Sequence, residues 1–139
     1  MNHALILPIL LPAVVGAVLV IAARHDRVLA RAFSIASMVL MLAVALGLFV
    51  LASDGSVRTY ALGAWPAPFG IVLVLDRLAA LMLLLGAVLG LGVLLYAING
   101  WDQRGKHFHP LFQFELMGIN GAFLTGDFFN LFVFFEILL

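Results

Sequence analysis

Apolar residues fall in long blocks at 4–23, 32–52, 71–98, 111–125 and 128–139, and short polar stretches part them. An α-helix rises about 1.5 Å per residue, so about 20 apolar residues cross a hydrocarbon core about 30 Å thick. The pattern predicts an all-α polytopic membrane protein. Four transmembrane helices are expected, at about 4–23, 32–52, 70–98 and 111–125. The last block, 128–139, reaches only about 18 Å. It reads as the truncated start of a fifth helix, in a protein that continues beyond Leu139.

The breaks refine this picture. The first block holds Pro8 and Pro12, each of which removes a backbone donor. Membrane helices accept this where neighbours satisfy the freed carbonyls, and a static kink is expected rather than a hinge. Residues 24–31 read as a basic loop with Arg24, Arg27 and Arg31. Residues 53–70 are turn-rich, with Gly55, Gly63, Pro66 and Pro68, and Val57-Arg58-Thr59-Tyr60 allows a short hairpin. The third block would be about 40 Å long as one helix, so it should tilt or protrude, with Asp76 and Arg77 about one turn inside its start. Gly86 and Gly90, with Gly92 nearby, permit close helix approach. The fourth block carries Gln113, Glu115 and Asn120, which should face other helices.

Charge sets the expected orientation. The loops carry three cations (Arg24, Arg27, Arg31), one (Arg58) and two (Arg104, Lys106) in turn. The positive-inside rule then places the first and third loops in the cytoplasm and the N-terminus outside. Met1-Asn2-His3 has no Lys or Arg and the following apolar run is long, which argues for a spanning helix over a signal peptide.

Composition excludes several classes. The chain is 65% hydrophobic and 10% charged with mean hydropathy +1.23, against about 45–50% and about 25% in soluble domains. A chain this small cannot hide that excess in one core, so lipid is its solvent. Net charge is zero, which gives no electrostatic footprint for nucleic acid. Cysteine is absent, so disulfides and thiolate chemistry are excluded. No phosphate loop, catalytic triad or cofactor fingerprint occurs. His107 and His109 alone lack the ligand number of a metal site and read as loop histidines. No cofactor and no metal are expected.

Glu136 is the main candidate for chemistry. If the fifth helix starts near Asp127, Glu136 lies about 13 Å along it, near mid-membrane, among Phe134, Phe135, Ile137 and Leu138. A carboxylate there costs at least about 2.5–3.5 kcal/mol. It must be paired, protonated or hydrated, and burial raises its pKa toward the range where it exchanges protons. Secondary polar sites are Asp76, Glu115, Asp127 and Asn130. Glu115 reads as a solvated interfacial acid or a way in for protons. Asp127 reads as an N-cap, and Asn130 as a partner in an interhelical hydrogen bond.

The segment Leu124-Thr125-Gly126-Asp127-Phe128-Phe129-Asn130-Leu131-Phe132-Val133-Phe134-Phe135-Glu136 resembles the antiporter-like membrane subunits of Mrp (Pha, Mnh) cation/proton antiporters, relatives of the pumping subunits of respiratory complex I. Trp65-Pro66-Ala67-Pro68-Phe69-Gly70-Ile71 with Asp76, and His107 to Gln113, Leu116-Met117-Gly118 and Asn120-Gly121-Ala122-Phe123, are most similar to the D-type member of that set. The resemblance implies about fourteen helices, with two inverted five-helix repeats after three peripheral helices. Residues 1–110 would then be the peripheral helices, and 111–139 the first helix and truncated second helix of the proton-translocating domain. It implies that Glu136 transfers protons with a lysine on a broken seventh helix beyond Leu139. Asp76 matches a family aspartate, while the family often has glutamine at the Glu115 position.

The resemblance implies a secondary transporter subunit rather than an enzyme, multi-pass in a bacterial cytoplasmic membrane. It would exchange Na+ or K+ for protons with other subunits of a hetero-oligomeric complex. The competing readings are a proton-pumping subunit of complex I or of a membrane hydrogenase, and a structural scaffold. The orientation is testable by itself. Cysteines placed at Ser56 and Gln103 of the full-length protein should label from opposite faces of intact cells, Ser56 from outside. Labelling of Ser56→Cys from the cytoplasmic face alone would reverse the topology.

Overall fold

A computed structural model describes residues 3–22, 26–65 and 70–139. Helix α1 (Leu7–Ala22) follows one turn of 3-10 helix, His3–Ile6. Next come α2 (Arg27–Ala52), strand β1 (Arg58–Ala61), strand β2 (Val72–Leu75), α3 (Arg77–Ile98), a 3-10 turn at Trp101–Gln103, α4 (Phe108–Leu124) and α5 (Phe128–Leu138). By length and composition, three helical stretches are apolar enough to cross a membrane: His3–Ala22, Arg27–Ala52 and Arg77–Ile98. The protein is a multi-pass membrane protein whose described helices, α1 to α5, follow one another along the chain.

The helix starts are chemically explicit. Asp26 Oδ1 accepts from the amides of Val28 and Leu29 at 2.9 and 3.1 Å. Asp76 Oδ1 accepts from Ala79 N at 2.7 Å, and Asp127 Oδ1 from Asn130 N at 2.7 Å. Each cap satisfies amides that have no partner in the first turn, a contribution of about 0.5–2 kcal/mol.

Two expected boundaries move for this reason. The block that begins near residue 70 does not enter a helix there. Residues 72–75 pair antiparallel with β1, Arg58 opposite Leu75 and Ala61 opposite Val72, and the helix waits for its Asp76 cap. Helix α3 is 22 residues long, about 33 Å, so it fits the hydrocarbon core without the excess that the longer run implied. The basic loop is likewise shorter than expected, because Arg27 and Arg31 already belong to α2 behind its Asp26 cap. Arg24 and His25 lie outside the described residues, as do Pro66 and Pro68.

Helix α4 occupies the centre and touches all four other helices. Its polar residues explain the packing. Pro12 has no amide hydrogen, so the Pro8 carbonyl, four residues earlier, loses its helical donor. Asn120 Nδ2 donates to that carbonyl at 2.8 Å. About two turns earlier in α4, Gln113 Oε1 accepts from Ser37 Oγ at 3.0 Å. Gln113 and Asn120 are fully buried, as their place in an apolar helix required. Of the three close glycines in α3, Gly90 faces Met38 and Leu116, while Gly86 and Gly92 have open space around their α-carbons.

Asn120→Leu should lower the stability of the full-length protein in detergent by about 1–3 kcal/mol, since a buried carbonyl loses its donor. Pro12→Ala in the same background restores an amide at that position and should recover most of the loss. Thermal unfolding of the two single variants and the double variant measures the coupling.

Candidate functional site

The seven acids separate by what they touch. Asp26, Asp76 and Asp127 cap helices. Asp54 accepts from the backbone and hydroxyl of Ser56 at 2.9 and 2.8 Å and pairs with Arg58 at 2.7 Å. The Ser56 hydrogen bonds, foremost the backbone one, hold its carboxyl below the usual range. Asp102 is buried and accepts twice from Arg31, at 2.6 and 2.8 Å, and once from His109 Nε2 at 3.2 Å. That leaves Glu115 and Glu136. Both are exposed, and among the described residues neither makes a hydrogen bond or ion pair.

Asp76 and Asp127 thus start α3 and α5, and the cap expected at Asp127 is present. Asn130 differs from expectation. Its side-chain amide bonds to the Asp127 carboxylate rather than to another helix, because the cap places that acceptor one turn away. Glu115 sits on the exposed face of α4 beside an apolar groove of about 390 Å³ that Gly86, Gly90, Phe112, Leu116 and Ile119 help to line.

Glu136 lies in the last turn of α5, and the placement of that helix is constrained at both ends. At its start, Gly126 N donates to the Val72 carbonyl at 2.8 Å and Thr125 bridges to Leu73, so the α4–α5 turn adds to the edge of β2. His3 supports the same pad through the Tyr60 hydroxyl, 3.1 Å away. Along its length, Asn130 and Phe134 form the buried stripe toward α4. Gly121 makes room for the Phe134 ring, which a β-carbon there would overlap, and Gly118 faces Leu138. Glu136 is two residues past Phe134, about 200° around the helix, so it points away from α4. None of α1–α4 faces it.

Sequence spacing missed one cluster. His109 is not a loop histidine: it sits in the first turn of α4 and is buried, its Nδ1 3.0 Å from Ser34 Oγ. Arg31 and Asp102 are far apart in sequence, so no local motif reveals the pair. The available signal was register: Ser34 and Ser37 in the charge-free run 32–52, His109 and Gln113 near the start of the fourth helix, each pair one turn apart.

No protein-family model matches the chain. Over its full length it is 51% identical to a probable K(+)/H(+) antiporter D subunit of Rhizobium meliloti, covering 27% of that protein. It is 44% identical to the Na(+)/H(+) antiporter D subunit of Alkalihalophilus pseudofirmus, covering 28%. The chain therefore spans about a quarter of the length of these relatives. Among solved structures, 99% of it superposes on 26% of a chain of the Mrp complex from Dietzia sp., at TM-score 0.91 and 34% identity. A chain of the archaeal respiratory complex membrane-bound sulfane sulfur reductase matches 96% of it, at TM-score 0.88 and 29% identity, with 28% of that chain covered.

Arg31 holds the Asp102 carboxyl below the usual carboxylate range, with a further contribution from His109. A carboxyl with a lowered folded-state pKa stabilises above its unfolded pKa, and loses that contribution as pH falls through the folded value. Asp102→Asn should therefore cost most at neutral pH, about 2–3 kcal/mol, less than a fully buried pair because the Arg31 side chain is 28% exposed. The gap from wild type should narrow below about pH 4. Thermal unfolding of both proteins across pH checks this.

Proposed function

The chain belongs to the D-type family of Mrp/Mnh antiporter subunits, and from that premise we propose that it forms part of a membrane subunit exchanging Na+ or K+ for protons. The proton-motive force drives the exchange, and Glu136 relays the proton. The chain acts within a hetero-oligomer in the bacterial cytoplasmic membrane, N-terminus outside. Residues 111–139 begin the translocating domain and the preceding helices flank it.

One observation carries the site assignment. Every aspartate is consumed in a cap, a turn or an ion pair, whereas Glu136 projects from a fixed helix with no partner on α1–α4. A charged side chain left to lipid near mid-membrane is costly, so the intact protein must present a helix with a cation or water to it. Desolvation raises its pKa and a cation lowers it, so movement of that cation changes the proton affinity of Glu136. Asp76, Asp127 and Asn130 serve this site by starting helices, and Glu115 stands apart from it.

The shared fold of the respiratory complex keeps a redox-driven pump as the alternative. Identity favours the antiporters, at 51% and 44% against 29%.

Glu136→Gln in the full-length protein keeps shape and much of the hydrogen bonding but cannot titrate. It should abolish cation/proton exchange in vesicles with the complex still assembled, and Glu136→Asp should retain part of the rate. Wild-type exchange by the Gln variant would make Glu136 structural.

A further inference from the structure

The end of the bundle opposite the hairpin holds a second cluster of polar groups that the Glu136 site does not use. Asp102 and His109 line a cavity of about 200 Å³ together with Arg27, Lys106 and His107. His109 is buried, yet both ring nitrogens are engaged, Nε2 with Asp102 at 3.2 Å and Nδ1 with Ser34 Oγ at 3.0 Å. One turn deeper, Ser37 donates to Gln113 Oε1, and Gln113 Nε2 has no hydrogen-bond partner among the described residues although the residue is fully buried. Turning the amide over only exchanges which atom is left unpaired. A buried amide without a partner costs about 1–3 kcal/mol, and a bound water is the usual remedy in a polar seam.

We propose that the α2–α4 seam binds a water molecule at Gln113, which joins the His109–Ser34 and Ser37–Gln113 pairs into one hydrogen-bonded chain, and that His109 exchanges protons between this chain and the cavity. The spacing fits. Ser34 and Ser37 are three residues apart on α2, and His109 and Gln113 four apart on α4, so the two pairs stand one helical turn apart, with β-carbons about 5–6 Å from each other. One water spans that distance with two bonds of about 2.8 Å.

The direction of the bonds supplies the mechanism. Asp102 is held ionised by Arg31 and is an acceptor only, so Nε2 carries a hydrogen and Nδ1 of the neutral ring accepts from Ser34. A proton arriving through the chain binds Nδ1, and the ring becomes an imidazolium balanced by Asp102. The Ser34 hydroxyl then accepts from the ring and its own hydrogen turns toward the water. Release of the Nε2 proton toward the cavity, followed by reversal of the tautomer, completes one transfer. Protons in the opposite direction use the same atoms. The charged and titratable groups facing His109 among the described residues are Arg27 and Arg31 from α2, and Asp102, Lys106 and His107 from the α3–α4 connection.

The titration and transport arms separate this proposal from the antiporter reading, on which only the second arm rests. In the full-length protein within its complex, labelled with 15N-histidine, the signal lost in His109→Gln identifies the residue. It should pass from doubly protonated to neutral as the pH is raised across the range in which the complex stays assembled. A His109 signal unmoved across that range overturns the proposal. Gln113→Met, of similar length but without hydrogen bonds, should shift the midpoint of that titration and slow Na+- or K+-driven proton movement in vesicles at least about tenfold. A wild-type midpoint and rate in Gln113→Met also overturns it. Should the wild-type complex move no protons against Na+ or K+, the antiporter reading fails, and the His109 titration still decides the present proposal.

Discussion

In hydrocarbon, each backbone or side-chain polar group must find its partner inside the protein. Helix α4 is where this constraint is met. Its Asn120 supplies the donor that Pro12 denies to the Pro8 carbonyl, its Gln113 accepts from Ser37, and its His109 meets Ser34 and Asp102. These bonds run to α1, to α2 and to the α3–α4 connection. They fix α4 in both translation and rotation, where apolar contacts alone would allow sliding.

With α4 set, α5 follows. The two helices are joined by a three-residue turn, Thr125 to Asp127, and that turn is held by the edge of β2 rather than left to the loop itself. The small sheet thus takes part in positioning Glu136. The same end of the bundle is tied down by cations: Arg77 donates to the Ser53 carbonyl at 2.8 Å and Arg58 reaches the Leu51 carbonyl at 3.4 Å, so carbonyls at the end of α2 find charged donors.

Much of this was legible in the sequence, and the limits have physical causes. Hydropathy locates the helices because lipid demands long apolar runs, and an aspartate before each of α2, α3 and α5 marks where they begin. Hydropathy does not separate Val72-Leu73-Val74-Leu75 from the helix behind it, since a buried strand and a membrane helix are equally apolar; the Asp76 cap and the β-branched alternation were the better guides. Arg27 and Arg31 were assigned to a loop by their charge, although long cationic side chains reach outward from a helix end. The Arg31–Asp102–His109 cluster joins residues 71 positions apart, and only the fold brings them together. Glu136 stood out from its apolar surroundings, while its partner is not visible in any part of these helices.

The Gly121 notch has a mechanical consequence. With the Phe134 ring seated in it and Leu138 against Gly118, turning α5 about its axis drives aromatic carbons into the backbone of α4. The azimuth of α5 is locked by steric exclusion, and close-packed interfaces of this kind shift between discrete arrangements rather than deform smoothly. Glu136 therefore keeps one bearing relative to α4. In the antiporter reading proposed above, whatever alternates its access to the two sides of the membrane has to be a torsion of its own side chain, the water beside it, or the displacement of the helix opposite, with α5 as the fixed jaw.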